Sequence, residues 1–358
     1  MKRIVLHNNH VNKHKAKMAP FAGYDMPLQY SSAKEEIKAV REAAGVFDVS
    51  HMGEFFVNGL ETNKFINYLI TNDYQNLAVG KAIYSPLCNE QGFVLDDLIV
   101  YKLEETRALI CVNAANIEPD WDWISKAAQK FDVSVLNSSD QYCLLALQGP
   151  KSEEIMSQIF EEARENIEKT PYYGVFTIQD HDIIIARTGY TGEDGFEIFI
   201  KNSIAEEIWE KLLELGASPC GLAARDTLRL EVCYPLYGKE LDAMHTPKES
   251  SLSWTLKKDE FLYLGKESII NKEVKSKIIK LSLEKLIPRE GYKVFYKNEE
   301  VGSITSGTFS PTLSQGIAMA RIKNIKNIQQ DDLLIEIRGK KYPAKYHKKA
   351  FYAGGIKK

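Results

Sequence analysis

Two adjacent carboxylates, Asp96 and Asp97, stand in the middle of an otherwise apolar run, FVLDDLIVY, residues 93–101. Asp is disfavoured in strands, and an ionised carboxylate in a dry setting is costly unless it is paired. A strand sends successive side chains to opposite faces, so at least one acid of the pair looks toward a core or a pocket. Two readings stay open on pattern alone: an edge strand with both acids wet or salt-bridged, or a buried carboxylate aimed at a ligand cation or N–H. Glu197 repeats the puzzle, since it sits in FEIFI (residues 196–200) with Phe196 and Ile198 on the opposite face. Farther along, GLAARDTLRLE places Arg225, Asp226, Arg229 and Glu231 close together. A helix there puts Arg225 and Arg229 on one face. Exposed, they are a solvated face; buried, they demand carboxylates, and Asp96, Asp97 and Glu197 are available. Residues 188–197 (TGYTGEDGFE) set three glycines among hydroxyl and acidic residues, which suits close backbone approach to something. Neither GxGxxG nor GxxxxGK[ST] occurs, so this is no nucleotide loop. His51, alone at a strand start, reads as structural.

The elements that hold these residues follow from periodicity. Asn89-Glu90-Gln91-Gly92 has turn chemistry between two apolar runs, and so predicts a hairpin of residues 82–88 and 93–101. Ser31-Ser32 caps a helix over 34–44 that Gly45 stops. Residues 54–57 and 108–112 read as strands, 61–70 and 121–130 as helices, and this alternation suggests α+β architecture, with about 54–145 as one subdomain. A buried strand over 144–150 stops at Gly-Pro, a long helix is expected over 152–168, a hairpin over 176–187, and an amphipathic helix over 204–215. Beyond a Lys/Glu-rich stretch near 270–277, short strands at 277–286, 293–296, 301–305 and 333–338 predict a small β-barrel or sandwich. The expected division is therefore residues 1–270, two interleaved α+β subdomains, and residues 277–358, a barrel.

Totals exclude several classes. A chain of 358 residues needs more than one core. A net charge of −3 gives no footing for a general nucleic-acid binder. No apolar run reaches membrane-spanning length. The five cysteines are odd in number, lack CxxC spacing and lie in apolar runs, as reduced core thiols do. The seven histidines show no ligand spacing, so no metal is expected. The eight Lys/Arg of residues 338–358, with no acid among them, are either a solvated terminus or a docking patch for an acidic partner.

Taken together, the motifs resemble one family, the aminomethyltransferase or T-protein of the glycine cleavage system. They are MAPFAGYDMPLQY (18–30), AAGVFDVSHMG (43–53), residues 92–101, ALQGP (146–150), TGYTGEDGFE (188–197), CGLAARDTLRLE (220–231), YPLYGKE (234–240) and TSGTFSPTL (305–313). They run in order along nearly the whole chain. The resemblance implies three domains around a central folate channel, tetrahydrofolate as co-substrate, and lipoylated H-protein as partner. It implies transfer of the one-carbon unit to give 5,10-methylenetetrahydrofolate, ammonia and dihydrolipoyl H-protein. By motif match the catalytic acid falls on Asp96, and the folate contacts fall on Tyr84, Asn113, Tyr190, Glu197, Arg225 and Tyr234. The short lead before the first motif implies no transit peptide, hence a bacterial cytoplasmic enzyme. Departures are Tyr24 in the usual AGW loop, Phe93 for the second glycine of GGxxDD, Ala223 in GLGARD, and Ala350 before Phe351. Alternatives within the wider family are a folate-dependent demethylase of a small substrate and a folate-binding iron–sulfur assembly factor. The latter's Lys-Gly before the cysteine is missing here, where Val232-Cys233-Tyr234 stands.

Overall fold

The computed structural model describes residues 1–178, 182–257, 261–329 and 332–357. Its larger part is built on two sheets packed face to face, each backed by helices on its far side. A six-stranded sheet takes, in spatial order, Val175–Ile178, Ile183–Ala186, Gly195–Lys201, Tyr142–Gln148, Gly45–Asp48 and Ser218–Pro219. A five-stranded sheet takes Lys81–Cys88, Val94–Glu104, Arg107–Val112, Gly53–Asn58 and Ser134–Asn137, all antiparallel. Strand parity makes the layers. Phe56, Tyr101, Leu109 and Cys111 join Phe47, Leu144, Ala146 and Phe199 between the sheets. Phe55, Val57, Leu98 and Val100 point the other way, into a core with Phe65 and Ile66 of helix Thr62–Leu69 and Ile124 of helix Ile117–Ala128. Each such buried aliphatic or aromatic side chain contributes about 1.5–3 kcal/mol. The outer face of the six-stranded sheet is covered by helices Ser152–Ile159 and Ala205–Glu214, with Trp209 fully buried.

Helix Ala33–Glu42 starts where the cap predicts, with a capping box between Ser32 and Glu35. Its Glu36 is buried and accepts from the N–H groups of Tyr30 (2.6 Å), Ser31 (3.1 Å) and Gly221 (2.9 Å). That last bond fixes the start of helix Leu222–Glu231, which carries Arg225 and Arg229. The expected long helix over 152–168 is instead two pieces, Ser152–Ile159 and Arg164–Lys169. Phe160 leaves helical geometry (ψ 63°) and buries its ring in the core, and that apolar burial outweighs helical continuity. The turn of the expected 176–187 hairpin falls partly outside the described residues.

The last part is a seven-stranded antiparallel sheet that curls into a half-barrel, beginning at Ser276–Leu283 and containing Lys293–Tyr296, Glu299–Ser310, Gln315–Lys323 and Leu333–Ile337. Val294, Ile304, Ala320 and Ile335 fill it. The fold is α+β, as the alternation predicts. Among the described residues no helix is long and apolar enough to cross a membrane, and the five cysteines are free, four of them buried.

Candidate active site

The hairpin turn behaves as its residues require: Gly92 takes φ +79°, and the Asn89 side chain accepts from the N–H of Phe93 at 3.0 Å. The register of strand Val94–Glu104 shifts just before the acid pair, Cys88 standing opposite Val94 and Leu87 opposite Asp96, and Pro86 then stands opposite Asp97. Parity separates the two acids. Asp96 is fully buried on the Leu98/Val100 face, toward helix Ile117–Ala128. Asp97 shares the other face with Ile99 and Tyr101, which pack between the sheets.

Asp96 is saturated with donors. Its oxygens accept from Asn113 N–H (3.0 Å), Asn113 Nδ2 (2.9 Å) and Asn116 Nδ2 (2.7 Å). Asp97 accepts from Tyr84 Oη and Asn113 Nδ2, each at 3.0 Å. Asn113 thus spans both acids from the end of strand Arg107–Val112. Burial, and then the neighbouring charge of Asp96, push the Asp97 carboxyl up to about 7. Burial also raises Asp96, opposed by its hydrogen bonds. Tyr84 stacks on the exposed Trp254 with ring centroids 5.8 Å apart, and its hydroxyl is held well above its ordinary range by burial and then by the Asp97 charge.

A second group gathers across the sheet interface. Glu197 Oε2 accepts from Tyr101 Oη (3.0 Å) and Thr188 Oγ1 (2.5 Å), so strand Val94–Glu104 supplies a ligand to this acid too. The Arg225 guanidinium lies 4.9 Å from the Tyr190 ring centroid, and Tyr190 tilts against Tyr234 at 5.8 Å. Burial lowers the Arg225 pKa, and the Glu197 charge opposes that. Tyr190, whose hydroxyl donates to the Pro235 carbonyl, also feels the charge of Asp97. The structure therefore brings Tyr84, Asp97, Asn113, Tyr190, Glu197, Arg225 and Tyr234 to one interface and leaves Asp96 one layer behind it. Arg229, on the same helix as Arg225, is paired elsewhere: with Asp226 and Glu240 and, at 2.8 Å, with Ser306 of the half-barrel. Asp96, Asp97 and Glu197, available as partners on sequence alone, are not the acids it uses, because one helical turn carries Arg229 past the sheet interface to the barrel.

Glu54 was not singled out by sequence reading, and His51 was read there as structural. Glu54 is 1% exposed, and neither of its oxygens has a hydrogen-bond partner among the described residues. Burial, then the charge of Asp140, raise its pKa well above the ordinary value. His51, edge-on to Phe21 (5.5 Å) and Tyr24 (6.4 Å), has an unpartnered Nδ1, and is pushed down to about 3 by burial and by Arg225. Arg225 Nη1 is likewise without a partner among the described residues. Buried unpaired polar atoms cost about 1–3 kcal/mol each, so this interface is shaped for polar matter that the folded chain itself does not supply. Asp120 and Asn116, which surround Asp96, were also missed. Asp120 had a readable signal: it interrupts the apolar stripe Ile117, Asp120, Ile124, Ala127 of its helix.

Comparison with known proteins identifies the family. Residues 6–260 match the family described as GCVT N-terminal domain, and residues 277–353 match the Glycine cleavage T-protein C-terminal barrel domain. An aminomethyltransferase of Thermosipho melanesiensis is 44% identical, covering 100% of this chain and 99% of its own. One from Thermotoga petrophila is 45% identical with 100% of both covered. The crystal structure of glycine cleavage system aminomethyltransferase T from Bartonella henselae superposes with a TM-score of 0.93 at 32% identity, covering 100% of this chain and 99% of that one. The chain belongs to the glycine cleavage T-protein family.

Proposed function

We propose that this chain moves the one-carbon unit of an aminomethyl group, held on the lipoyl arm of an H-protein, to tetrahydrofolate. The products are 5,10-methylenetetrahydrofolate, ammonia and dihydrolipoyl H-protein. Aminomethyltransferase activity itself follows from full-length likeness to curated aminomethyltransferases. The observation that carries the residue assignment is the Tyr84–Asp97–Asn113 cluster, facing Glu197 and Arg225 across the sheet interface.

The residues suit a reduced pterin. Its edge presents N–H, amino and carbonyl groups. Glu197, whose two described bonds both end on Oε2, keeps Oε1 for N–H donors, and Arg225 Nη1 is a free donor for a carbonyl oxygen. The rings of Tyr190 and Tyr234 offer the flanking surface. Catalysis requires a negative charge beside the carbon being transferred, where positive charge develops as the C–S bond breaks and the C–N bond forms. Sequence resemblance carried that role to Asp96. What supports Asp97 instead is its face: it looks into the interface with Tyr84, whereas Asp96 is closed in by Asn113 and Asn116. A carboxyl at about 7 is matched to proton transfer near neutral pH. The lipoyl thiol leaves, and no protein nucleophile is needed.

Residues 1–270 act as the site-bearing part and 277–358 as a barrel closing against it; every ladder of the two facing sheets lies before residue 220. The bacterial cytoplasm is the expected location, in keeping with bacterial relatives. H-protein docks on the basic terminal face, where Lys348 and Lys349 are exposed. K348E/K349E should raise the KM for H-protein by about fivefold or more with tetrahydrofolate affinity unchanged; equal loss of both, or of neither, counts against docking there. The reaction assignment is tested by ammonia release from aminomethylated H-protein. Release should depend on tetrahydrofolate and match 5,10-methylenetetrahydrofolate formed. A methylated folate product appearing without H-protein would instead identify a demethylase.

A further inference from the structure

We propose that Asp120 is a positioning residue for the reacting carboxylate: it holds a proton that bridges it to Asp96, so that only one negative charge stands directly behind Asp97. This rests on the reading of Asp97 given above.

Asp120 lies in the first turn of helix Ile117–Ala128, 1% exposed, on the stripe that packs against the acid strand. Asn116, one helical turn before it, donates to Asp96 at 2.7 Å, which sets the Asp120 carboxyl against the fully buried Asp96 carboxyl as its hydrogen-bonding neighbour. Two carboxylates cannot hydrogen-bond to each other without a proton between them. The surrounding donors decide which one carries it. Asp96 already accepts three N–H bonds, from Asn113 N, Asn113 Nδ2 and Asn116 Nδ2. Asp120 Oδ2 is buried and has no hydrogen-bond partner among the described residues. The site rich in N–H groups keeps the charge, and the site without them keeps the proton.

The titratable groups that face Asp120 are Asp96 and Asp97 on the acid strand, and Tyr237, on the chain after helix Leu222–Glu231, which feels Asp120 in turn. No cation is among the groups acting on Asp120. Burial, followed by the Asp96 charge, pushes its carboxyl up to about 11, in keeping with a neutral acid at physiological pH. The consequence for Asp97 is quantitative. With Asp120 neutral, Asp97 is raised by burial and by the single charge of Asp96. An ionised Asp120 would raise it further. Without Asp120's donated hydrogen bond, Asp96 would more readily take up a proton and cease to raise Asp97.

Two variants separate these states. Asp120→Asn keeps a donor for Asp96 and carries no charge, as the protonated acid does. Asp120→Leu removes the donor. Infrared difference spectra of wild type minus D120N at pH 8 should show a protonated carboxyl C=O band that shifts in D2O. The acid limb of the kcat/KM–pH profile should lie within about 0.3 units of wild type in D120N, and about one unit lower in D120L, with kcat in D120N restored to within about threefold. Absence of the protonated band, or an acid limb that D120N lowers as far as D120L does, would overturn the proposal. The infrared result is independent of activity: a protonated band in an enzyme whose D97N variant keeps full turnover would retain the shared proton and sink the catalytic reading of Asp97.

Discussion

A carboxyl group is placed here where ionisation is costly. Asp97 is raised to about 7 by lost hydration and by the charge of Asp96, against hydrogen bonds from Tyr84 and Asn113 that favour its ionised form. If the ionised form assists transfer, kcat/KM should rise with pH through about 7 and level off above it, and this limb should move to lower pH in D96N, where the like charge is gone. A limb unmoved in D96N would mean that another group titrates. Stability follows the opposite sense. A carboxyl whose folded pKa lies above its unfolded value of 3.8 contributes stability that is fully present below that value and lost as pH rises through the folded one. Sequence could find this pair but not its orientation. Leu98 and Val100 on one face, Ile99 and Tyr101 on the other, are equally apolar, so both faces of the strand read as buried. Only the packing of a helix on one side and a second sheet on the other distinguishes them. Glu54 and His51 were harder still, since an acid or histidine at a strand start becomes unusual only once its hydrogen-bond partners are known to be missing.

Local signals were strongest where a single residue enforces a backbone geometry. The Asn89–Gly92 turn, the Ser32 capping box and the strand at Gly195–Lys201 lie where turn, cap and alternation rules place them. The turn also couples to a distant element: a Cβ on Gly92 would come within 2.7 Å of Ile269 Cγ1 and 3.0 Å of Ile269 N, in helix Lys266–Asn271. Gly92→Ala must therefore strain a positive-φ position and push that helix away, lowering stability by about 1–3 kcal/mol. Urea unfolding should show a lower midpoint with an unchanged slope, and a midpoint equal to wild type would refute the contact. Where tertiary packing competes with periodicity, sequence misleads. Residues 152–168 carry a continuous helical pattern, yet burial of Phe160 breaks the helix.

At the scale of the whole molecule, the barrel is tied to the site by charge and by its own tail. Arg41 bonds Glu193 at 2.8 Å and Glu231 at 2.6 Å, all three buried or nearly so, while Glu231 also accepts from Ser310 and Thr312 of the barrel. The tail returns across this knot: the Tyr352 ring lies 4.0 Å from the Arg41 guanidinium, Tyr352 N–H donates to the Glu231 carbonyl, and Gly355 N–H donates to the carbonyl of Gly192. The loop bearing Tyr190 is thereby clamped from outside. Arg41→Ala strands two buried carboxylates and should cost about 3–5 kcal/mol. Calorimetry should show a lower transition temperature, and an unchanged transition would mean the knot is dispensable. Sequence showed the basic tail and the acidic GEDG loop but could not join them, because some 160 residues of chain separate the two.

The central claim is that the facing sheets present Asp97, and not Asp96, to the carbon being transferred. Its most direct test is turnover of aminomethylated H-protein and tetrahydrofolate by D97N and D96N, side by side with tetrahydrofolate affinity. The account predicts that D97N loses about 100-fold or more in kcat, D96N no more than about tenfold, and both bind tetrahydrofolate within tenfold of wild type. The reverse order, with D96N inactive and D97N near wild type, would contradict it.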